Sequence, residues 1–430
     1  MNTSKNIYRT INSFLLLLFF PFGLFAQQTL TLDECFDRVT KNHPIVEQIA
    51  LLRTKSNLDL EAINKEKLPQ LDINAQATYQ SDVTHLPVAL PNITVDYANK
   101  DQYKATLDAS LPIYNGGLID AKARLKESNT SVGLQEVEVN LYALKSSINE
   151  LYLSILLIQE NRSLLEAKEK QLQTRLKEVK AGVEYGTLLP TSADALVVEL
   201  LKIKQNYAEL DHSKSSLLKR LSFLIGNEIN NNIVLQTPTV KITNNPLSQR
   251  PELTLFDLQK NQIEKSIQQL SKSKLPKLNA FVQGGYGNPG LNMLDNTFTT
   301  YYYTGLRLNW NVFDWNKNKT ERQSLAINKD IIDTQEKTFE LNNNLELVQI
   351  QSEIDKLNEY LTIDQEIIPI RENMVKSAAS QLKNGVITSS AYMSEFTDLY
   401  EAKSNLNLHR IQLLLQQIKF QITNGTYGTN

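Results

Sequence analysis

EKLPQLDINAQATYQ, Glu66 to Gln80, decides how this chain is read. Pro69 stops whatever precedes it, and then apolar and polar residues alternate: Leu71, Ile73, Ala75, Ala77 and Tyr79 against Asp72, Asn74, Gln76, Thr78 and Gln80. A period of two is that of a strand with one apolar face and one polar face. KLPKLNAFVQGGY, Lys274 to Tyr286, repeats the device.

The repetition is not local. His43-Pro44 matches Arg250-Pro251, KLPQL matches KLPKL and Tyr79 matches Tyr286, all displaced by 207 positions. Later matches are displaced by 199: Leu107 with Leu306, Ile113 with Val312, Gly186 with Gly385, Gly226 with Gly425. The missing eight residues fall in one place, because 23 residues separate Tyr79 from Tyr103 and 15 separate Tyr286 from Tyr302. A length change confined there marks a hairpin loop. The chain is one unit of about 200 residues written twice.

Each unit reads helix, strand, strand, long helix, helix. The second strand alternates as the first does: Tyr103, Ala105, Leu107, Ala109, Leu111 and Ile113 against Lys104, Thr106, Asp108 and Ser110. Its counterpart sets Leu306, Leu308, Trp310 and Val312 against Arg307, Asn309 and Asn311. The strands are expected at about 70–80, 103–113, 277–286 and 302–313.

The long helices are expected at about Ile119 to Tyr185 and Asn318 to Asn384, each on the order of 100 Å. In the first, Val137, Leu144, Leu151, Ile158, Leu165, Leu172 and Val179 recur every seven residues, with Leu134, Leu141, Ile148 and Ile155 beside them. In the second the row is Leu347, Ile354, Leu361, Ile368, Val375 and Leu382. Sustained sevens give an apolar seam for packing against neighbouring helices. Pro369 interrupts the second seam and predicts a kink or short break.

Four strands of about ten residues have three destinations: a small soluble sheet, an aggregating edge or a membrane barrel. Nine to eleven tilted residues span a bilayer, and alternation supplies one face for lipid and one for water. Aromatics gather at the strand ends, with Tyr79, Tyr103 and Tyr114 in the first repeat and Tyr286, Tyr301, Tyr302, Tyr303, Trp310 and Trp315 in the second. The residues expected at the lipid interface are Tyr79, Tyr103, Tyr286, Tyr302, Trp310 and Trp315. The polar face, Asp72, Asn74, Gln76, Lys104, Asp108, Arg307 and Asn309, is expected to line a lumen. A barrel in lipid must close, and four strands are too few, so the chain must oligomerise.

Composition bounds the rest. Lys5 and Arg9 precede FLLLLFF, Phe14 to Phe20, and Ala26 stands before QQ, the pattern of a leader, residues 1–26, removed on export. Without it the chain holds 43 basic and 47 acidic residues and no basic tract, which excludes a nucleic-acid footprint. The single cysteine, Cys35, reads as a small core residue and a poor lipid anchor. No later run reaches 18 consecutive apolar residues, so no transmembrane helix is expected. His43, His85, His212 and His409 have neither an i, i+4 partner nor paired cysteines, and GGYGNPG, Gly284 to Gly290, lacks the Lys-Ser/Thr of a phosphate loop. The expectation is no catalysis, no metal and no cofactor. Residues 27–226 and 250–425 are the repeats, 227–249 a polar linker and 426–430 a tail.

TLTLDECFDRVTKNHPIVEQIALL (Thr29 to Leu52), the doubled KLP strand, LPIYNGGLIDAKAR, YGTLLPTSADAL and NGVITSSAYM stand in an order that resembles the TolC-like outer-membrane efflux proteins, from about Thr29 to Gly425. That resemblance implies a fold that is mainly α with membrane β. Two tandem repeats (helix, β-hairpin, long helix, helix) would form a homotrimeric 12-stranded β-barrel, continued by a long periplasmic α-helical barrel. It implies an outer-membrane exit duct fed by a periplasmic adaptor and an inner-membrane pump. The other reading is a structural coiled-coil envelope protein without transport.

The resemblance also assigns the tips of the helical hairpins, Gly186, Thr187, Leu188, Gly385, Val386 and Ile387, to adaptor contact. Family members often carry an acid six residues after the tip glycine, where this chain has Ser192 and Ala391. Asp194, Glu395 and Asp398 are then the candidates for a periplasmic gate.

Overall fold

The computed structural model describes residues 29–84, 97–240 and 250–427. The expected leader, His85, linker residues 241–249 and residues 428–430 of the tail lie outside the described residues. In chain order the elements are β1 (Thr29–Leu30), α1 (Leu32–Asn42), α2 (Glu47–Lys65), β2 (Gln70–Tyr79), β3 (Asp101–Tyr114), α3 (Leu118–Glu184) and α4 (Pro190–Ile225). There follow β4 (Val234–Leu235), α5 (Pro251–Ser273), β5 (Lys277–Asn288), β6 (Thr299–Asn309), α6 (Lys317–Lys383) and α7 (Ser389–Asn424).

The chain divides into two compact units. The strand-bearing unit comprises Asp37–Glu150, Val240–Thr362 and Gln412–Asn430. Its sheet has the order β2-β3-β5-β6, antiparallel throughout. The central pair, β3 with β5, joins the two repeats: Ala105 faces Tyr286 and Leu107 faces Gly284. Registers therefore align Ile73, Leu107, Gly284 and Tyr302 on one face, and Asp72, Asp108, Gln283 and Tyr303 on the other.

β6 ends at Asn309, short of the 302–313 expected. The reason lies in its neighbour: Asn309 pairs with Lys277, the first residue after Pro276, and no earlier residue of β5 exists to pair with Trp310. A proline cannot donate to a ladder. Trp310, Phe313 and Trp315 thus lie beyond the strand, exposed at the helix end of the sheet.

The turn into each long helix needs left-handed backbone. Gly116 and Gly117 supply it in the first repeat, at φ +66° and +76°. In the second, Trp315 and Asn316 occupy the corresponding places at φ +53° and +63°, so the backbone keeps the turn even where side chains make it costly. A β-carbon on Gly116 would also sit 2.5 Å from Cβ of Leu275. Gly116→Ala is expected to lower stability by about 1–2 kcal/mol or more, read as a fall in the midpoint of denaturant unfolding.

The second unit gathers the chain up to Phe36 with Leu151–Thr239 and Ile363–Ile411. Here β1 and β4 form a short parallel pair. The Tyr152 hydroxyl, fully buried, lies 2.7 Å from the carbonyls of both Leu30 and Gln236, while the Gln159 amide donates to the Leu235 carbonyl and accepts from its N–H. Thus β4, the regular piece among the linker's described residues, is pinned to α3. By length and composition α3 is, among the described residues, the one helix able to cross a membrane, yet Tyr152, Ile155 and Leu156 in its apolar part are fully buried by protein.

α6 runs through Pro369 as one continuous helix, so of the expected kink or short break there is no break; a proline removes only one N–H from the helix. Of the expected row only Leu382, 1% exposed, is fully buried, and most of the other buried positions fall on a different row. Ile350, Leu357, Asp364 and Ala378 are buried, spaced by sevens through Arg371, whereas Leu347, Ile354, Leu361, Ile368 and Val375 are only half-buried.

Candidate functional site

Three places carry the expected functional residues: the polar face of the sheet, the helix turns at Gly186 and Gly385, and the paired helices behind those turns.

On the polar face Asp108 is the hub. It accepts from Asn74 Nδ2 (2.8 Å), from the Thr106 hydroxyl (2.8 Å) and from Gln283 Nε2. Asp72 stands opposite it across the β2–β3 ladder. Gln76 faces Lys104, whose ammonium lies 5.3 Å from the Tyr301 ring. Arg307 lies 4.8 Å from the Phe281 ring, which meets Tyr303 edge-on at 5.8 Å. Asn309 closes the row opposite Lys277. Tyr301 and Tyr303 are therefore on the polar face, because consecutive residues of a strand alternate; of the three tyrosines grouped at the interface, only Tyr302 shares the apolar face. The sequence reading missed Phe281, Tyr301 and Tyr303 as neighbours of Lys104 and Arg307, although strand parity already held the signal.

The apolar face is bare: Ile73 is 81% exposed and Leu306 65%. Tyr79, Tyr103 and Tyr286 mark its hairpin-loop end with Tyr302 close by, and Trp310 and Trp315 lie at the helix end.

At the turns the chain reverses through a left-handed glycine, Gly186 at φ +73° and Gly385 at +70°. Each ends its helix in the same way: Thr187 N–H donates to the Gly182 carbonyl (2.8 Å) and Val386 N–H to that of Gln381 (2.9 Å). Thr187 and Val386 are exposed, but Leu188 and Ile387 turn back onto the helical core and are half-buried. Tyr185 and Leu189, 82% and 71% exposed, are the outward side chains that sequence reasoning left out.

Behind the turns α3, α4, α6 and α7 pack around Leu165, Leu172, Val179, Leu196, Ile203, Leu382 and Phe396. The two repeats solve this packing differently. Leu165 and Leu172 of α3 and Leu196 and Leu210 of α4 correspond, 199 residues on, to Asp364, Arg371, Glu395 and His409. Asp364 meets His409 at 2.7 Å, and Arg371 donates to Asp398 at 2.9 Å and to Glu395 at 3.5 Å. Two of the three gate candidates are thus held by Arg371, a partner the sequence did not reveal; Asp194 is exposed. Among the described residues no group of three His, Cys, Asp or Glu side chains is placed to hold a metal ion.

The first repeat has a largely buried ion pair at this level, Lys168 with Glu199 at 2.9 Å. Burial alone would raise the Glu199 pKa, but the hydrogen bond and charge of Lys168, with Lys202 beyond, hold it below the ordinary glutamate value. A carboxylate so depressed stabilises the fold above its unfolded pKa of about 4.3 and ceases to as pH falls through the lower folded value. Wild type should lose stability in that acid window relative to Glu199→Gln, a difference read by unfolding at a series of pH values.

The sequence pattern of the outer membrane efflux protein family matches residues 36–227 and 243–422. No curated protein matches the chain. Solved structures do: CusC at 12% identity, TM-score 0.68, over 92% of each chain; the CmeC outer membrane channel of Campylobacter jejuni at 15% identity, TM-score 0.63, over 92% of this chain and 85% of that one; and VceC of Vibrio cholerae at 13% identity, TM-score 0.64, over 92% and 96%. Over nearly its whole described length the protein therefore belongs to the outer membrane efflux protein family, the channel proteins of the outer membrane that reach into the periplasm and serve as exit ducts of tripartite efflux systems.

Proposed function

We propose that the chain works as a homotrimer. Each copy would give its four strands to a 12-stranded barrel in the outer membrane, and its long helices to a helical barrel that continues the duct across the periplasm. The observation that carries this reading is a sheet with a bare apolar face whose outer strands, β2 and β6, have no partner along their outer edges among the described residues. Backbone groups left open in hydrocarbon are too costly to persist. β6 of one copy against β2 of the next satisfies both edges and keeps the strands antiparallel; the number three comes from the resemblance.

In this assembly residues 1–26 are cleaved on export, 27–226 and 250–425 are the duplicated halves, 227–249 joins them and 426–430 is a tail. Asp72, Asn74, Gln76, Lys104, Asp108, Arg307 and Asn309 wet the lumen. Tyr79, Tyr103, Tyr286, Tyr302, Trp310 and Trp315 mark the two edges of the lipid band. Gly186, Thr187, Leu188, Gly385, Val386 and Ile387 form the tips offered to an adaptor, with Thr187 and Val386 outermost. Asp194 and the Arg371-bound pair Glu395 and Asp398 stand at the periplasmic gate. The pump supplies the energy and chooses the cargo, because this chain offers a passage and no chemistry.

The deciding measurement is the mass and outline of detergent-extracted protein, by light scattering and negative-stain imaging of one preparation. A trimer with a helical stem on the order of 100 Å is expected. A water-soluble monomer or dimer would remove the barrel and the transport function with it.

A further inference from the structure

The loop between β5 and β6, Pro289 to Phe298, has two unlike sides. Three hydrogen bonds lie within it: Asp295 N–H donates to the Asn292 carbonyl (3.2 Å), Leu294 N–H to Asn292 Oδ1 (3.2 Å) and the Thr297 hydroxyl to the Asp295 carboxylate (2.7 Å). Asn296 clasps the other hairpin, accepting from Asn99 N–H (3.0 Å) and donating to Asn99 Oδ1 (3.2 Å). Leu291, Met293, Leu294 and Phe298 nevertheless stay exposed, at 58%, 55%, 38% and 50%.

Phe298 shows where this apolar side belongs. Its ring stacks on Tyr286 at 5.4 Å and on Tyr103 at 6.4 Å. Both tyrosines lie on the sheet face that bears Leu107 and Leu306, since Tyr286 faces Ala105 and Tyr103 stands two residues from it. The loop therefore extends the apolar face past the strand ends.

We propose that Leu291, Met293, Leu294 and Phe298 form a shelf seated among the outer-leaflet lipids, at the boundary between headgroups and acyl chains. Water would leave these four side chains solvated at a cost, whereas the interface removes their apolar area and suits an aromatic ring stacked on two tyrosines. The loop's polar atoms named above already have partners, so seating it there strands none of them. The clasp to Asn99 holds the loop in place, and the stack on Tyr103 and Tyr286 fixes the height at which Phe298 meets lipid. The shelf rests on the reading of the sheet as part of a membrane barrel.

The test places an environment-sensitive fluorophore on Met293→Cys and, separately, on Leu107→Cys, in full-length protein reconstituted into phosphatidylcholine vesicles with or without brominated acyl chains. The native Cys35 is fully buried and is left in place. Emission from both labels should be lost in brominated lipid and preserved against aqueous iodide. With Phe298→Ala added, the label at 293 should lose its lipid quenching while the label at 107 keeps it. Lipid quenching at 107 with iodide quenching at 293 would overturn the shelf and leave the barrel standing. Iodide quenching of both would remove the barrel, and the shelf with it.

Discussion

Leu107→Arg is expected to destabilise the membrane-inserted protein by about 2–4 kcal/mol per chain, the cost of a guanidinium near the bilayer midplane. Leu107 sits near the centre of β3, between Ile73 and Gly284 on the apolar face, and is 52% exposed in the single chain. The neighbouring glycine leaves no side chain on that flank to shield the charge, and the path to either interface is about half a strand. Gln76→Arg, on the opposite face, serves as the comparison; it sets a second cation across from Lys104 and should cost no more than about 1 kcal/mol. Denaturant unfolding of vesicle-inserted protein reads both. A loss for Leu107→Arg no larger than that for Gln76→Arg would mean that Leu107 does not meet lipid.

Phe396→Ala should cost about 3–5 kcal/mol, this time in the helical unit. Phe396 is 1% exposed and lies between Tyr392 and Tyr400 of the same helix, with ring centroids 5.7 Å and 4.9 Å away. Truncation would leave a void that two tyrosines cannot fill, because the Tyr400 hydroxyl is engaged with Gln171 and the Tyr392 ring lies beneath Arg175. The counterpart in the first repeat, Val197, is 37% exposed, so Val197→Ala should be nearly neutral. Unfolding monitored by helical circular dichroism separates the two.

What could be read in the sequence follows from what pattern reading counts. Alternation found β2 and β3 because polar and apolar residues alternate along β2 and along β3 from Tyr103 to Leu111, and the displacement of 199 residues placed both long helices to within a residue of Leu118–Glu184 and Lys317–Lys383. The buried row of α6 escaped for the converse reason. A search for apolar sevens passes over Asp364 and Arg371, which are tolerable there only because His409, Asp398 and Glu395 meet them from α7. The end of β6 escaped because alternation continues through Val312 while the partner strand does not. At the helix turns the glycines were plain, but the inward turn of Leu188 and Ile387 depends on tertiary packing that no local pattern contains. Which strands are neighbours was likewise invisible: two hairpins can be joined through either edge, and only the structure puts β3 beside β5.

That choice has a consequence for how the protein is made. Tyr103 pairs with Asn288 and Tyr114 with Leu278, so the seam of the sheet binds positions more than 160 residues apart in the chain. The first hairpin must therefore wait, with the outer edge of β3 unpaired, until well over half of the polypeptide has emerged. Such long-range pairing is slow and exposes the chain to aggregation, and in this strand order that exposure falls on the open edge of β3 for as long as β5 is still to come.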